Sequence, residues 1–224
     1  MHNSAALLRL MQLVSPALPV GAYAYSQGLE HAVAERWVAD EQSAADWIIG
    51  LLANALANLD APVLVRLHAA WQANDAEAVR YWNRYLQASR ESAELLAEDR
   101  HLGGALARLL ADLDVGEAIE WKRGSAPSFA TMFALAAARW AIPCRDTVNG
   151  FLWSWSENQV AAAIKLVPLG QTAGQRILSR AVAAIPPVVE HAISLADDDI
   201  GFLAPALAIG SALHETQYSR LFRS

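Results

Sequence analysis

The chain has 224 residues, 54% of them hydrophobic and only 18% charged, with a formal net charge of −6. Hydrophobic content above the usual roughly 45–50%, with charge below about 25%, allows a sizeable core and leaves apolar surface for partners. The negative charge argues against a nucleic-acid-binding domain, which needs a basic face to neutralise phosphates, and the single cysteine, Cys144, excludes an internal disulfide and a multi-thiolate metal site.

The first predicted helix spans 4–14. Its start, "MHNSAALLRLMQLVSP", holds one Arg inside an apolar stretch and lacks a basic leading region, so it is expected to be a helix and not a signal peptide. Pro16 and Pro19 stop it and hold the following linker extended. The segment "SPALPVGAYAYSQGLE" (15–30) then crowds two prolines, two glycines and two tyrosines together. Gly21 permits a positive φ, and Gly28 offers a small spot for another chain to press against. Tyr23 and Tyr25 carry rings that bury a flat face while the hydroxyl finds a polar partner. The segment is either a buried crossover between helices or a docking surface.

A second helix is expected over 24–36 and a third over 43–58, where Trp47, Ile48, Leu51, Leu52, Ala55, Leu56 and Leu59 form one face. Ser43 with Asp46 resembles a capping box opening it. Helices over 62–73, 75–90 and 92–112 follow, the last two either separate or continuous; Pro62 suits a helix N1 position. Leu102, Leu106, Leu109, Leu110 and Leu113 make another stripe, and the paired glycines of "HLGGALA" read as a helix-packing contact. After a break over 112–127, helices are expected over 128–141 (with Pro127 at N1), 146–166, 172–185, 187–196 and 203–214, with breaks at Ile142–Pro143, Pro186–Pro187 and Asp197–Gly201. Lys165 sits in an otherwise apolar helix, where it either snorkels to solvent or points its charge at a partner.

No segment alternates as a strand would, and no period of 20–50 residues repeats. The longest uncharged apolar stretch, 124–138, is too short to span a bilayer. The expected architecture is a single all-α domain, 1–224, of about ten mostly antiparallel helices, in the reducing cytoplasm, with no membrane or nucleic-acid partner. Its C-terminal stretch, "SALHETQYSRLFRS" (211–224), combines Tyr218, Arg220, Leu221, Phe222 and Arg223, the aromatic and Arg vocabulary of interface hot spots. Such a tail folds onto a partner or back onto its own domain.

Catalytic chemistry is hard to place. No glycine belongs to a phosphate-binding GxxxxGK[ST] loop. The six histidines are scattered singly over different predicted helices, and "HETQY" carries Tyr218 where the HExxH zinc motif needs its second ligand. There is no GxSxG elbow, and Cys144 has only Arg145 as a local positive charge. No catalytic, cofactor-binding or metal-ligating residue is assigned. An all-α enzyme built from scattered His and Glu, and a general helical adaptor or membrane-peripheral protein, remain as alternatives.

"SPALPVGAYAYSQGLEHAV", "RESAELLAEDRHLGGAL", "KLVPLGQTAGQRIL" and "DDDIGFLAPALAIGSALHETQYSRLFRS" resemble the UreF family of urease accessory proteins over Leu7–Ser224, with Leu18 and Tyr25 standing where that family usually has Phe and His. The resemblance implies a non-enzymatic, dimer-forming assembly factor, or chaperone, for the nickel centre of urease. It would bridge UreD (also called UreH), which contacts apo-urease, to the GTPase UreG. Nickel and GTP would belong to the partners, so no cofactor is expected. Carried onto matching positions, the resemblance makes Tyr218, Arg220, Leu221, Phe222 and Arg223 the UreD-docking residues. It places Gly21, Tyr23, Tyr25, Ser26, Gly28, Glu30 and Lys165 at the UreG-facing or dimer surface.

Overall fold

The computed structural model describes residues 4–124, 126–201 and 204–223, and among them are eleven α-helices and no strand. These are α1 Ser4–Leu13, α2 Leu29–Ala34, α3 Glu41–Leu51, α4 Asp60–Ala73, α5 Ala76–Ala88, α6 Ala93–Asp112, α7 Ala118–Arg123, α8 Phe129–Arg139, α9 Cys144–Leu166, α10 Gln171–Ser194 and α11 Pro205–His214. A π-helical turn, Leu52–Leu56, extends α3, and 3₁₀ turns occupy Ala22–Ala24 and Asp197–Asp199.

The all-α expectation holds, and the reason lies in the two central helices. Every residue of α8 from Ala130 to Ala137 is buried, as a helix that is apolar all round must be. It packs on α4, which buries Val63, Leu64, Leu67 and Trp71, and α5, α6, α9 and α10 surround the pair. Amphipathic α5 turns Val79, Trp82, Asn83 and Leu86 inward. Its buried Asn83 Oδ1 accepts from the Ser128 N–H and the Thr131 hydroxyl, each at 2.8 Å, fixing where α8 begins. No single helix among the described residues is long and apolar enough to cross a membrane.

Of the glycine pair of α6, Gly103 makes a packing contact, with the segment leading into α8. A Cβ on Gly103 would stand 2.1 Å from the carbonyl oxygen of Pro127, backbone that has no room to move. Gly103→Ala is therefore expected to destabilise the fold by about 2–3 kcal/mol, read as a lower urea midpoint at unchanged m-value.

His68 lies at the α4–α8 centre, where its Nε2–H donates to the Ile142 carbonyl at 3.0 Å. Burial pushes its imidazole below the usual histidine range, against the pull of that carbonyl. Its folded value thus lies below its unfolded one, so the unfolded chain binds the extra proton first as pH falls. Stability from this group is complete above the unfolded value and declines as pH drops from there towards the folded one, by up to about 1.4 kcal/mol per pH unit. Urea unfolding between about pH 7.5 and about pH 5.5 should show the decline, and His68→Gln should flatten it.

Several boundaries differ from expectation. Pro186 and Pro187 do not break the chain: α10 runs through both, because they stand on its exposed face while Ile185, Val188, Val189 and Ala192 are buried. The carbonyls of Val182 and Ala183, which lose their intrahelical donors to the prolines, lie on that exposed face, within reach of water. The predicted break over 112–127 contains α7, and the expected 24–36 helix shrinks to α2 behind a 3₁₀ turn. The fifth and sixth helices are separate, because the Ser92 hydroxyl caps α6 by accepting from Leu95 N at 3.1 Å.

The caps shift as well. Ser43 is the third residue of α3 and not its cap: Asp40 Oδ1 accepts from Ser43 N at 2.8 Å while Ser43 Oγ accepts from Asp40 N at 3.1 Å. Pro62 is the third residue of α4, and Pro127 lies ahead of the α8 cap, Ser128. The predicted start of the last helix at 203 falls outside the described residues, as does Ser224.

Candidate functional site

The 15–30 segment is shaped by its glycines. Gly21, at φ 81°, opens the 3₁₀ turn, and Gln27 and Gly28, at φ 52° and 77°, give two successive left-handed residues that swing the chain into α2. A left-handed Gln is costly, and its amide compensates by bridging two helices. Gln27 Nε2 donates to Glu98 on α6 at 2.8 Å, and its Oε1 accepts from the Trp155 indole on α9 at 2.7 Å. Gly28 also lets α11 approach, since a Cβ there would stand 3.0 Å from Ser211 N and 3.2 Å from the Gly210 carbonyl carbon. Across that contact the Ser211 and Ser92 hydroxyls share a 2.6 Å hydrogen bond.

Beyond α11 the tail returns over α2. Glu30, itself buried, takes two consecutive backbone donors on one carboxylate: Leu221 N at 2.6 Å on Oε1 and Phe222 N at 2.9 Å on Oε2. Arg223 N donates to the Ala24 carbonyl at 2.8 Å. Phe222 is only 6% exposed and belongs to the apolar cluster of Leu29, Val38, Ile48, Val160 and Ile177. The Lys165 ammonium lies 5.5 Å from its ring centroid, a cation–π contact. Arg220 donates to Glu94 Oε1 at 2.8 Å.

His214, the last residue of α11, joins these groups. Its Nδ1 lies 2.8 Å from Glu94 Oε2 and its Nε2 lies 3.1 Å from Glu30 Oε2. Glu30, His214, Glu94 and Arg220 thus form a continuous run of hydrogen-bonded side chains from α2 through α11 and α6 to the tail. The imidazole has no solvent exposure, which suits it to holding the tail and denies a substrate access to either nitrogen.

The two groups of residues singled out in the sequence therefore meet. Glu30 and Lys165 contact Leu221 and Phe222, Gly28 packs on α11, and the fully buried Ser26 hydroxyl accepts from Glu30 N at 3.3 Å. Lys165 is exposed and sits over the tail's own phenylalanine. Tyr25 departs from the set: it is buried in the larger core cluster, 6.1 Å from the His101 ring. Tyr23, Tyr218 and Leu221 face outward at 70%, 105% and 67% exposure. Sequence alone does not single out His214 and Glu94, although both lie in quoted stretches, because their contact joins positions 120 residues apart.

A second buried ionic group lies behind the opening segment. Arg90 donates to Asp60 Oδ1 at 2.8 Å and stands 3.5 Å from Asp99 Oδ1, which also accepts from Phe129 N at 2.9 Å. Burial raises the Asp99 carboxyl and outweighs the pull of Arg90. Burial also opposes the Arg90 charge, but Asp60 and Asp99 outweigh it and hold the guanidinium above its ordinary range. These groups line one end of a cavity of about 370 Å³ whose other walls include Leu13, Leu18, Phe151 and Trp155. No group of three or more His, Cys, Asp or Glu residues able to hold a metal occurs among the described residues. Burial pushes the Cys144 thiol up, against Arg145 and Arg66, which suits a structural cysteine and not a nucleophile.

Comparison with known proteins places this arrangement in a family. The model of the UreF family matches residues 38–182. Urease accessory protein UreF of Alkalilimnicola ehrlichii is 54% identical over 216 residues, covering 96% of this chain and 95% of that protein. The protein of the same name from Teredinibacter turnerae is 53% identical over 218 residues, covering 97% and 98%. That from Pseudomonas putida is 48% identical over 224 residues, covering both chains fully. The chain belongs to the UreF family of urease accessory proteins.

Proposed function

We propose that this chain is a non-catalytic adaptor of urease maturation. It works in the cytoplasm as a homodimer, bridges UreD (UreH) on apo-urease to the GTPase UreG, and times the GTP-dependent delivery of nickel. Nickel and GTP are carried by the partners. The carrying observation is how the tail is held: Glu30 grips it by backbone N–H groups and Phe222 faces inward, so Leu221 and Tyr218 are turned out as an apolar surface. Ile209 and Leu213 of α11, at 50% and 48% exposure, add to the outward apolar surface of this end of the chain. The Leu221 and Tyr218 side chains form the apolar centre of a docking patch, with Arg220 and Arg223 as charged neighbours.

The opening segment, with Tyr23 outward, supplies the UreG-facing or dimer surface together with Gly21 and Lys165, while buried Ser26 and Gly28 shape the backbone beneath it. Timing requires that UreG bind differently in its two nucleotide states, because equal affinities shift nothing. A tenfold preference needs only about 1.4 kcal/mol, the scale of one charge-assisted hydrogen bond. The test is a titration of the UreD-bound chain with UreG loaded with GTP and with GDP. Affinities at least about tenfold apart are expected; equal affinities would remove the timing role, and failure to form a three-protein complex would remove the bridge.

A further inference from the structure

We infer that His214 is a proton-dependent latch on the C-terminal tail, closed while the ring is an imidazolium and loosened when it becomes neutral. The inference rests on the reading of the tail as a docking element and supplies its regulation.

The geometry demands two donors. Both ring nitrogens lie within hydrogen-bond distance of carboxylate oxygens, Glu94 Oε2 at 2.8 Å and Glu30 Oε2 at 3.1 Å. A neutral imidazole has one N–H, and a carboxylate only accepts. In the neutral ring, one contact would set a nitrogen lone pair against an anionic oxygen. The ring is 0% exposed, and the Glu30 and Glu94 side chains are 9% and 14% exposed, so water cannot relieve that contact. The imidazolium satisfies both.

Charge balance gives the same answer. The groups facing the ring or its partners are Glu30 from α2, Glu94 from α6, Arg220 and Glu215 from the tail, and Lys165 from α9 over Phe222. Of these, Glu215 reaches only the backbone N–H of Glu94, at 3.3 Å, and it is exposed. Glu30, Glu94, Arg220 and an imidazolium sum to zero, whereas a neutral ring leaves one uncompensated negative charge in a mostly buried cluster. Between the carboxylate and lysine ranges, the imidazole is the one side chain of this set whose charge ordinarily changes.

The consequence falls on the tail because the ring's two partners are also two of the groups that anchor the tail. Glu30 also holds Leu221 and Phe222 by their backbone N–H groups, and Glu94 also holds Arg220. Loss of the proton weakens both anchors at once. The bound proton belongs to the closed form, so closure is complete at low pH within this window and is lost as pH rises.

Hydrogen exchange on the isolated full chain tests this. After correction for intrinsic exchange, protection of the Leu221 and Phe222 amides should fall at least about tenfold between about pH 6 and about pH 8.5, while α4 and α8 amides keep theirs. His214→Gln should abolish the dependence. Nitrogen NMR of the unmutated ring should show both nitrogens protonated under the conditions in which the tail is protected, so the test survives a variant that folds poorly. A flat profile, a dependence that persists in His214→Gln, or a neutral ring in the closed tail would each overturn the latch. UreD capture measured at the same two pH values separates the two ideas: a tail that loosens with pH without any change in capture refutes the docking role and leaves the latch standing.

Discussion

Replacing Glu30 by alanine is expected to detach the tail while leaving the helical core folded. The substitution orphans the Leu221 and Phe222 N–H groups and removes one of the two carboxylates facing His214. Removing one partner of a buried, hydrogen-bonded charge pair costs about 3–5 kcal/mol. The chain can escape that cost by letting the tail go, at the further loss of about 1.5–3 kcal/mol of Phe222 burial. The exchange rates of the Leu221 and Phe222 amides should rise by at least about a hundredfold, with the α8 amides unchanged. Glu30→Gln, which keeps one acceptor and loses the charge, should fall between. UreD capture should weaken in the same order if the held tail is the form that docks.

The second large effect is expected at Arg90. Arg90→Ala would leave Asp60 and Asp99 facing each other in a mostly buried site, and Asp99 is already pushed upward by burial. The loss should again be about 3–5 kcal/mol near neutral pH. It should shrink as pH falls and Asp99, already raised by burial, takes up a proton, because a neutral carboxyl needs no counter-charge. Urea unfolding of the variant at about pH 7 and about pH 5 reads both effects. A combined Arg90→Met, Asp60→Asn, Asp99→Asn chain should recover most of the stability, since an apolar or neutral replacement of a buried ionic group is often near neutral. Equal losses at both pH values would mean that packing, not charge, dominates at this position.

What the sequence disclosed follows the range of the interactions involved. The stripe Leu102, Leu106, Leu109, Leu110 placed α6 well because helical periodicity is a local property. The double proline of α10 was misread because the local rule treats a helix as isolated; here a buried stripe on the opposite face holds the helix together across the lost hydrogen bonds. The six residues of α7 are too few for periodicity to register. At the site, composition marked both the glycine–tyrosine segment and the arginine–phenylalanine tail. Their meeting spans 192 positions between Glu30 and Phe222, and no local pattern encodes it. His214 was invisible for the same reason: a histidine at a helix end has no sequence signature that distinguishes a solvated ring from one clasped between two distant carboxylates.

The account depends on this chain acting by being held against other proteins, with the tail as the element that docks on UreD. The most direct measurement is urease activity in cells that carry, in place of the full chain, a copy ending at His214, with its helical content and expression checked alongside. The account predicts a folded protein that no longer captures UreD and leaves urease without its nickel. Normal urease maturation by the shortened copy would contradict it.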